Sequence, residues 1–305
     1  MTEQTFTIYC FIDDFFHAIG RKDDAHCKIN DAELLTTALL AARYFHGNLC
    51  SAYSYMQAHH GVRRIDKSGF TRRLQPQLLA LFTALSRVIK ELNCSCVYLI
   101  DSFPVPVCDN IRIPSCRLLH SEAYRGRCVS KRRYFYGFRV QVVTTWDGVP
   151  VHFFIHAGSF ADITALKAME VDLPQGSQLY ADAAYTCYQV EDLLEECEQV
   201  QLRCCRKSNS KRKDQPYMAF LKEHYRKRIE TTFSGITGFF PRKIHAVTAQ
   251  GFILKLILFI FAYTPTSSQL ELINPLCYWV EAGFLFQSGN MYAAMAVKYY
   301  KRLLR

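Results

Sequence analysis

Three acidic residues have the type and setting to do chemistry. Asp101 ends the apolar run Cys96-Val-Tyr-Leu-Ile, Asp182 ends Gln178-Leu-Tyr-Ala, and Glu230 lies in the basic stretch Tyr225-Arg-Lys-Arg-Ile-Glu. Two short β-like runs that each close on a carboxylate, with a third carboxylate on a later helix, can converge on one point and hold two divalent metal ions. Two metals about 3.5–4 Å apart stabilise both the attacking and the leaving oxygen of an in-line phosphoryl displacement. Mg²⁺ suits such a site because it takes hard oxygen ligands and keeps several waters; Mn²⁺ can substitute. A single Asp at a strand end is commonly a turn former or helix cap, so the chemical reading rests on the ordered set of three.

The elements that must position this set follow a mixed order. Residues 1–93 read as helical: Phe6–Ile19, a helix capped by Asn30 or Asp31 with Leu34, Leu35, Ala38, Leu39 and Ala42 at helical spacing, and Ser51–His60 stopped by Gly61. A fourth element is expected from Ser68 and a fifth from Pro76 to about Leu92, since proline favours a helix start. His59-His60 reads as a helix end and not as a metal pair. From Cys94 the texture becomes strand-like. Cys96–Ser102 is a short strand, 109–133 is Arg-rich and irregular, and Gly137–Trp146 alternates up to Asp147-Gly148, a hairpin signal, with Val151–His156 as its partner. A helix follows from Asp162, read as its N-cap with support of the site's acids as the second reading, then strand 179–182, helix 189–198, strand 202–205 and helices from Pro216 and Thr248. This α/β order around one central sheet matches the ribonuclease H-like order.

Composition narrows the partner. The chain has 305 residues, half of them apolar, so it can bury a sizeable core, and its net charge of +10 favours phosphate-rich partners. The 13 cysteines include no Cys-x-x-Cys pair, which argues against zinc and fits a reducing cytoplasm. The apolar stretch Phe252–Tyr263 has twelve residues and contains Lys255. It is too short to span a bilayer, which takes about 20, and reads as a core helix.

Two basic clusters flank the acids. The first holds Arg112, Arg117, Arg125, Arg127, Lys131, Arg132 and Arg133 with Tyr124, Tyr134, Phe135 and Tyr136 interleaved; the second holds Arg206, Lys207, Lys211, Arg212 and Lys213, then Arg226, Lys227 and Arg228. Lys and Arg bind backbone phosphate without reading sequence, and aromatic side chains among them can stack on exposed bases. A solvated charged face is the alternative for each cluster taken alone. Bringing DNA to a cluster of carboxylates requires positive charge nearby, which favours the nucleic-acid reading.

Together these residues resemble the DDE-type transposases of bacterial insertion sequences, and among them the insertion sequence 982 family. The matching stretches are Ile100-Asp-Ser-Phe-Pro104, Phe135-Tyr-Gly137, Gly148-Val-Pro150, Ala181-Asp-Ala-Ala-Tyr185, Arg228-Ile-Glu-Thr231 and Gly251-Phe252 with the apolar helix after it. Ala32-Glu-Leu-Leu-Thr-Thr-Ala-Leu-Leu40 and Arg43-Tyr-Phe-His-Gly47 add to them. The resemblance implies a ribonuclease H-like fold, two Mg²⁺ ions, and metal-dependent strand cleavage and transfer at the element's ends, with Asp101, Asp182 and Glu230 as the triad. It also implies DNA as partner, both element ends and target, a homodimer on DNA, and a cytoplasmic, nucleoid-associated bacterial protein. Related enzymes carry Tyr-x2-Arg-x3-Glu-x6-Lys around the last acid; here Arg226 fits, while Glu223 and Thr237 stand at the Tyr and Lys positions. The expected organisation is a helical domain over 1–93, a catalytic domain over 94–264, and an atypical tail over 265–305, unlike the family, that reads as a frameshifted or read-through end. A nuclease that cuts without joining, and an inactive DNA-binding remnant, are the alternatives.

Overall fold

The computed structural model describes residues 1–18, 20–21, 26–63, 65–128 and 132–264. Lys131 and the tail expected over 265–305 lie outside the described residues. The helices are α1 (Thr2–Ala18), α2 (Asp31–Tyr44), α3 (Leu49–His60), α4 (Lys67–Leu92), α5 (Asp162–Ala168), α6 (Tyr188–Glu198), α7 (Pro216–Gly238) and α8 (Ala249–Tyr263). The strands are β1 (Val97–Cys108), β2 (Arg125–Cys128), β3 (Arg133–Thr145), β4 (Pro150–Ala157), β5 (Gln178–Ala181) and β6 (Gln201–Cys204). Two compact units result. One comprises Met1–Ala84, Ile236–Ile244 and the described residues from Gln250; the other comprises Leu85–Gly235 and His245–Ala249.

The first unit is helical. Asn30 caps α2 through a full capping box: Glu33 N–H donates to Asn30 Oδ1 at 2.6 Å and Asn30 N–H to Glu33 Oε2 at 2.9 Å. The neighbouring Asp31 is instead buried between Arg21 and Arg73 at 3.1 and 2.7 Å. The two elements expected from Ser68 and Pro76 are one helix, α4, with Pro76 inside it. An internal proline costs about 3 kcal/mol. Buried Phe70, Leu74, Leu78, Leu81 and Leu85 continue at helical steps across it, so an unbroken apolar stripe offsets that cost. The α8 helix is buried nearly all round, as its composition implies. Its Phe259 ring lies where a Cβ on Gly47 would come within 2.9 Å, and it packs on Phe240 with ring centroids 4.9 Å apart. No helix among the described residues is long and apolar enough to cross a membrane.

The second unit is built on a six-stranded mixed sheet in the order β2-β3-β1-β5-β6, with β4 also paired to β3. The strands β1, β5 and β6 are parallel to one another, and β1, β2 and β4 are antiparallel to β3. With the helical region before it, this is a mixed α/β protein whose sheet unit is consistent with a ribonuclease H-like domain. The strand β2, inside the segment expected to be irregular, pairs Arg125–Cys128 with Tyr136–Arg133. Its Arg-Gly-Arg-Cys sequence has no apolar alternation to reveal it, because a ladder at a sheet edge is held by backbone hydrogen bonds. Strand alternation sorts the core. Tyr98, Ile100, Leu179 and Ala181 face the side covered by Leu166 and Met169 at α5 and Leu194 on α6, while Leu99 and Tyr180 face Ile229, Tyr225 and Phe233 on α7.

Candidate active site

The parallel ladder between β1 and β5 ends at the pair Ile100–Ala181, and the next residue on each strand is an acid, Asp101 and Asp182. By the two-residue period of a strand both fall on the face of Leu99 and Tyr180, toward α7. Positions outside the carboxyl ends of parallel strands are where ligands bind in open α/β sheets. The β1 strand itself runs on to Cys108, paired to β3 alone beyond this point, so Asp101 has a rigid backbone on both sides. Each carboxylate accepts a hydrogen bond from the next backbone N–H, Ser102 to Asp101 and Ala183 to Asp182, both at 2.7 Å.

The α7 helix closes the site. Tyr225, Ile229 and Phe233 seat it on the sheet, and Arg228 and Thr232 donate to the carbonyls of Asp147 and Gly148 in the β3–β4 turn, both at 3.2 Å. Arg226 and Glu230, one residue further round than Tyr225 and Ile229, therefore lie on the flank of the helix. Arg226 sits between two acids, with Nη1 3.7 Å from Asp182 Oδ1 and Nε 3.8 Å from Glu230 Oε1. One cleft is lined by Asp101, Asp182, Lys222, Tyr225, Arg226 and Ile229. Glu230 is exposed and does not line it. Among the described residues no three His, Cys, Asp or Glu side chains are grouped closely enough to hold an ion. Two carboxylates face each other, and the third is separated from them by a guanidinium.

Burial, then the charges of Asp182 and Asp162, push the Asp101 carboxyl up to about 7, against the Ser102 N–H and Arg226, which hold it down. The folded chain thus binds this proton more tightly than the unfolded chain, in which an Asp titrates near 3.9. The stability it contributes is fully present below about pH 4 and is lost as pH rises through about 7. Metal-free protein is therefore expected to lose thermal stability between about pH 4 and 7, and Asp101→Asn to flatten that fall. Melting curves across the range check this; equal slopes in the two proteins would show that Asp101 is not the group responsible.

Three further residues belong here. Lys222 is buried and donates to the Cys204 carbonyl at 2.8 Å and Asp214 Oδ1 at 2.6 Å, tying α7 to the end of β6. Its signal was a lysine in the apolar stripe of α7, at helical spacing with Tyr225 and Ile229. Asp162 is the first residue of α5 and not its cap: Ala161 holds the cap position, and the Asp162 carboxylate binds Arg139 and Ser102 instead. Tyr185, fully buried behind Asp182, has its phenol pushed well up by burial and by the charges of Asp162 and Asp101.

The basic residues divide. Arg127, Arg132 and Arg133 are exposed, with the Arg127 guanidinium over the exposed Tyr134 ring at 5.9 Å, while Arg125 pairs with Glu122 at 2.8 Å. Lys207, Lys211 and Lys213 are exposed. Arg212 makes two hydrogen bonds to Asp192 at 2.7 and 2.8 Å, and Arg206 two to Glu191 at 2.7 Å, with both guanidiniums over the Tyr188 ring. These two arginines fasten the loop after β6 to α6.

No curated protein and no solved structure matches the chain. The family model described as a transposase DDE domain matches residues 91–249, just over half of the chain, and spans both strand-end aspartates, Arg226 and Glu230. By that match, and with the acids at the parallel strand ends and on α7, the chain belongs to the DDE-domain transposases.

Proposed function

We propose that this transposase cuts DNA at the ends of its own insertion sequence, one of the 982 type, and joins the freed ends to a target, with Asp101, Asp182 and Glu230 as the carboxylates of a two-Mg²⁺ site. The observation that carries this reading is the convergence on one cleft of two strand-end aspartates and the flank of α7 that bears Arg226 and Glu230. The donor set fits a hard divalent cation: it is all carboxylate oxygen, and burial, with the charge of Asp182 added to it, already drives Asp101 toward protonation. When bound, such ions supply the Lewis acidity that activates water or a 3′-hydroxyl and stabilises the leaving oxygen.

The chain's own residues then have separate tasks. Asp101 and Asp182 are fixed by the sheet. Glu230, exposed on a helix flank, joins them by a side-chain rotation that releases it from Arg226. Arg226 swings to a DNA phosphate, to which it offers a planar fork of donors. The exposed Arg127, Arg132 and Arg133, with Tyr134, and the exposed lysines after β6 track the DNA backbone.

A labelled duplex carrying an element end, incubated with Mg²⁺ and a target plasmid, tests the reading. Label joined to plasmid supports transposition; cut but never joined label reduces the activity to that of a nuclease. Replacing Arg132 and Arg133 together by Ala is expected to weaken binding to every DNA sequence alike. Each lost phosphate contact should lower the slope of log affinity against log salt by about 0.9 on duplex DNA. An unchanged slope would put this hairpin off the DNA path.

A further inference from the structure

Asp101 and Ser102 point to opposite faces of the sheet. Behind Asp101, on the face away from the cleft, lies a polar network that the phosphoryl chemistry does not use. The Ser102 hydroxyl donates to Asp162 Oδ1 at 2.5 Å. Arg139 Nη1 donates to both Asp162 oxygens at 3.2 and 3.3 Å, and its Nη2 to the Arg127 carbonyl at 2.9 Å. Gln141, the partner of Ser102 across the β1–β3 ladder, donates to the Asp162 carbonyl at 2.8 Å. The buried Tyr185, whose hydroxyl makes no hydrogen bond, closes the short turn that starts at Asp182, its N–H donating to the Asp182 carbonyl at 3.1 Å.

The residue after Asp101 thus meets the Asp162 carboxylate from behind, and the turn after Asp182 sets the buried Tyr185 within reach of the same charge. Asp162 and Arg139 are each only 16% exposed. A buried ion pair of this kind gives up solvation that an apolar pair would not, and here it joins α5, β1 and β3 at the one level of the sheet where the two acids stand.

We propose that Asp162 is a positioning residue: held by Arg139, it anchors Ser102 and, with Tyr185, sets the spacing and orientation of the Asp101 and Asp182 carboxylates for divalent metal. This rests on the reading of Asp101 and Asp182 as metal ligands. Partners that orient ligands from behind cost about 10–100-fold in metal affinity or activity when removed.

The test uses the full chain, Mn²⁺ alone as the probe followed by paramagnetic resonance, and cleavage of element-end DNA. Asp162→Asn and Ser102→Ala are each expected to weaken Mn²⁺ binding by about 10-fold or more. They should lower kcat by a similar factor with KM for DNA unchanged. Ser102→Thr, which keeps the hydroxyl, should restore both. Ser102→Ala removes one hydroxyl from a half-buried position, so it remains testable if Asp162→Asn fails to fold. Wild-type Mn²⁺ affinity in Ser102→Ala, or a loss that Ser102→Thr does not reverse, overturns the positioning role and leaves the metal site standing. If the wild-type chain binds no Mn²⁺, both readings fall.

Discussion

Asp101→Asn and Asp182→Asn are each expected to abolish strand cleavage while leaving DNA binding unchanged. The amide keeps the size and the backbone contact: an Asn can still accept from Ser102 N–H or Ala183 N–H as the carboxylate does at 2.7 Å. What it loses is the anionic charge that, in the proposed site, would hold a divalent ion. Metal-borne stabilisation of the transition state is worth several kcal/mol, and 1.36 kcal/mol is tenfold in rate, so a loss of ~1,000-fold or more is expected. Glu230→Gln should behave likewise if its side chain joins the pair. Asp101→Asn also removes a half-buried charge, so its melting temperature at neutral pH, without metal, should not fall. Single-turnover cleavage with Mg²⁺, alongside a DNA-binding titration of each variant, is the measurement. Full cleavage by any one variant removes that residue from the site.

Gly137→Ala is expected to have the largest effect on stability of any single methyl added to the sheet. A Cβ on Gly137 would lie 2.2 Å from the Val105 carbonyl oxygen, 2.8 Å from the Val107 nitrogen and 3.0 Å from the Pro106 Cα. All three are backbone atoms of β1 at the irregularity between Pro106 and Cys108, so no side chain can turn aside to make room. The Gly137 carbonyl also accepts from Gly158 N–H at 3.0 Å, at the point where β2 gives way to β4 along β3. Forcing the methyl in must part β1 from β3. The cost is about 3 kcal/mol or more, at the upper end of overpacking, and the melting temperature should drop by roughly 6–12 °C on the usual scaling for a domain of this size. Gly238→Ala, with open space around it, is the control and should change little. A melting temperature for Gly137→Ala equal to that of the control would show that β1 and β3 can separate locally at little cost.

Much of this was legible in the chain itself, because it depends on near neighbours. The capping box of Asn30 and Glu33 spans four residues. The runs ending at Asp101 and Asp182 carry their own β propensity, and α8 declares its burial through its composition. Such features are set by backbone propensity and hydrophobic period, which act over a few residues. For the same reason the sequence could name Asp101, Asp182, Glu230 and Arg226 as candidates in order along the chain.

Pairing over long separations decided the rest. The β2 strand exists because β3 offers it an edge, and α4 runs through Pro76 because its stripe is buried on both sides of the proline. The local position of Asp162 favours a helix cap; Arg139 and Ser102, 23 and 60 residues away, draw its carboxylate to the back of β1. The arginines 206 and 212 read as DNA contacts or solvated charge until α6 brings Glu191 and Asp192 against them. Charged side chains have long reach and no periodic signature, so their partners are fixed only when the sheet registers are. Residue types and their order along the chain name the candidates for the chemistry. Which face of the sheet each one serves follows from long-range pairing, because a strand alternates sides at every residue and its register is a property of the whole sheet.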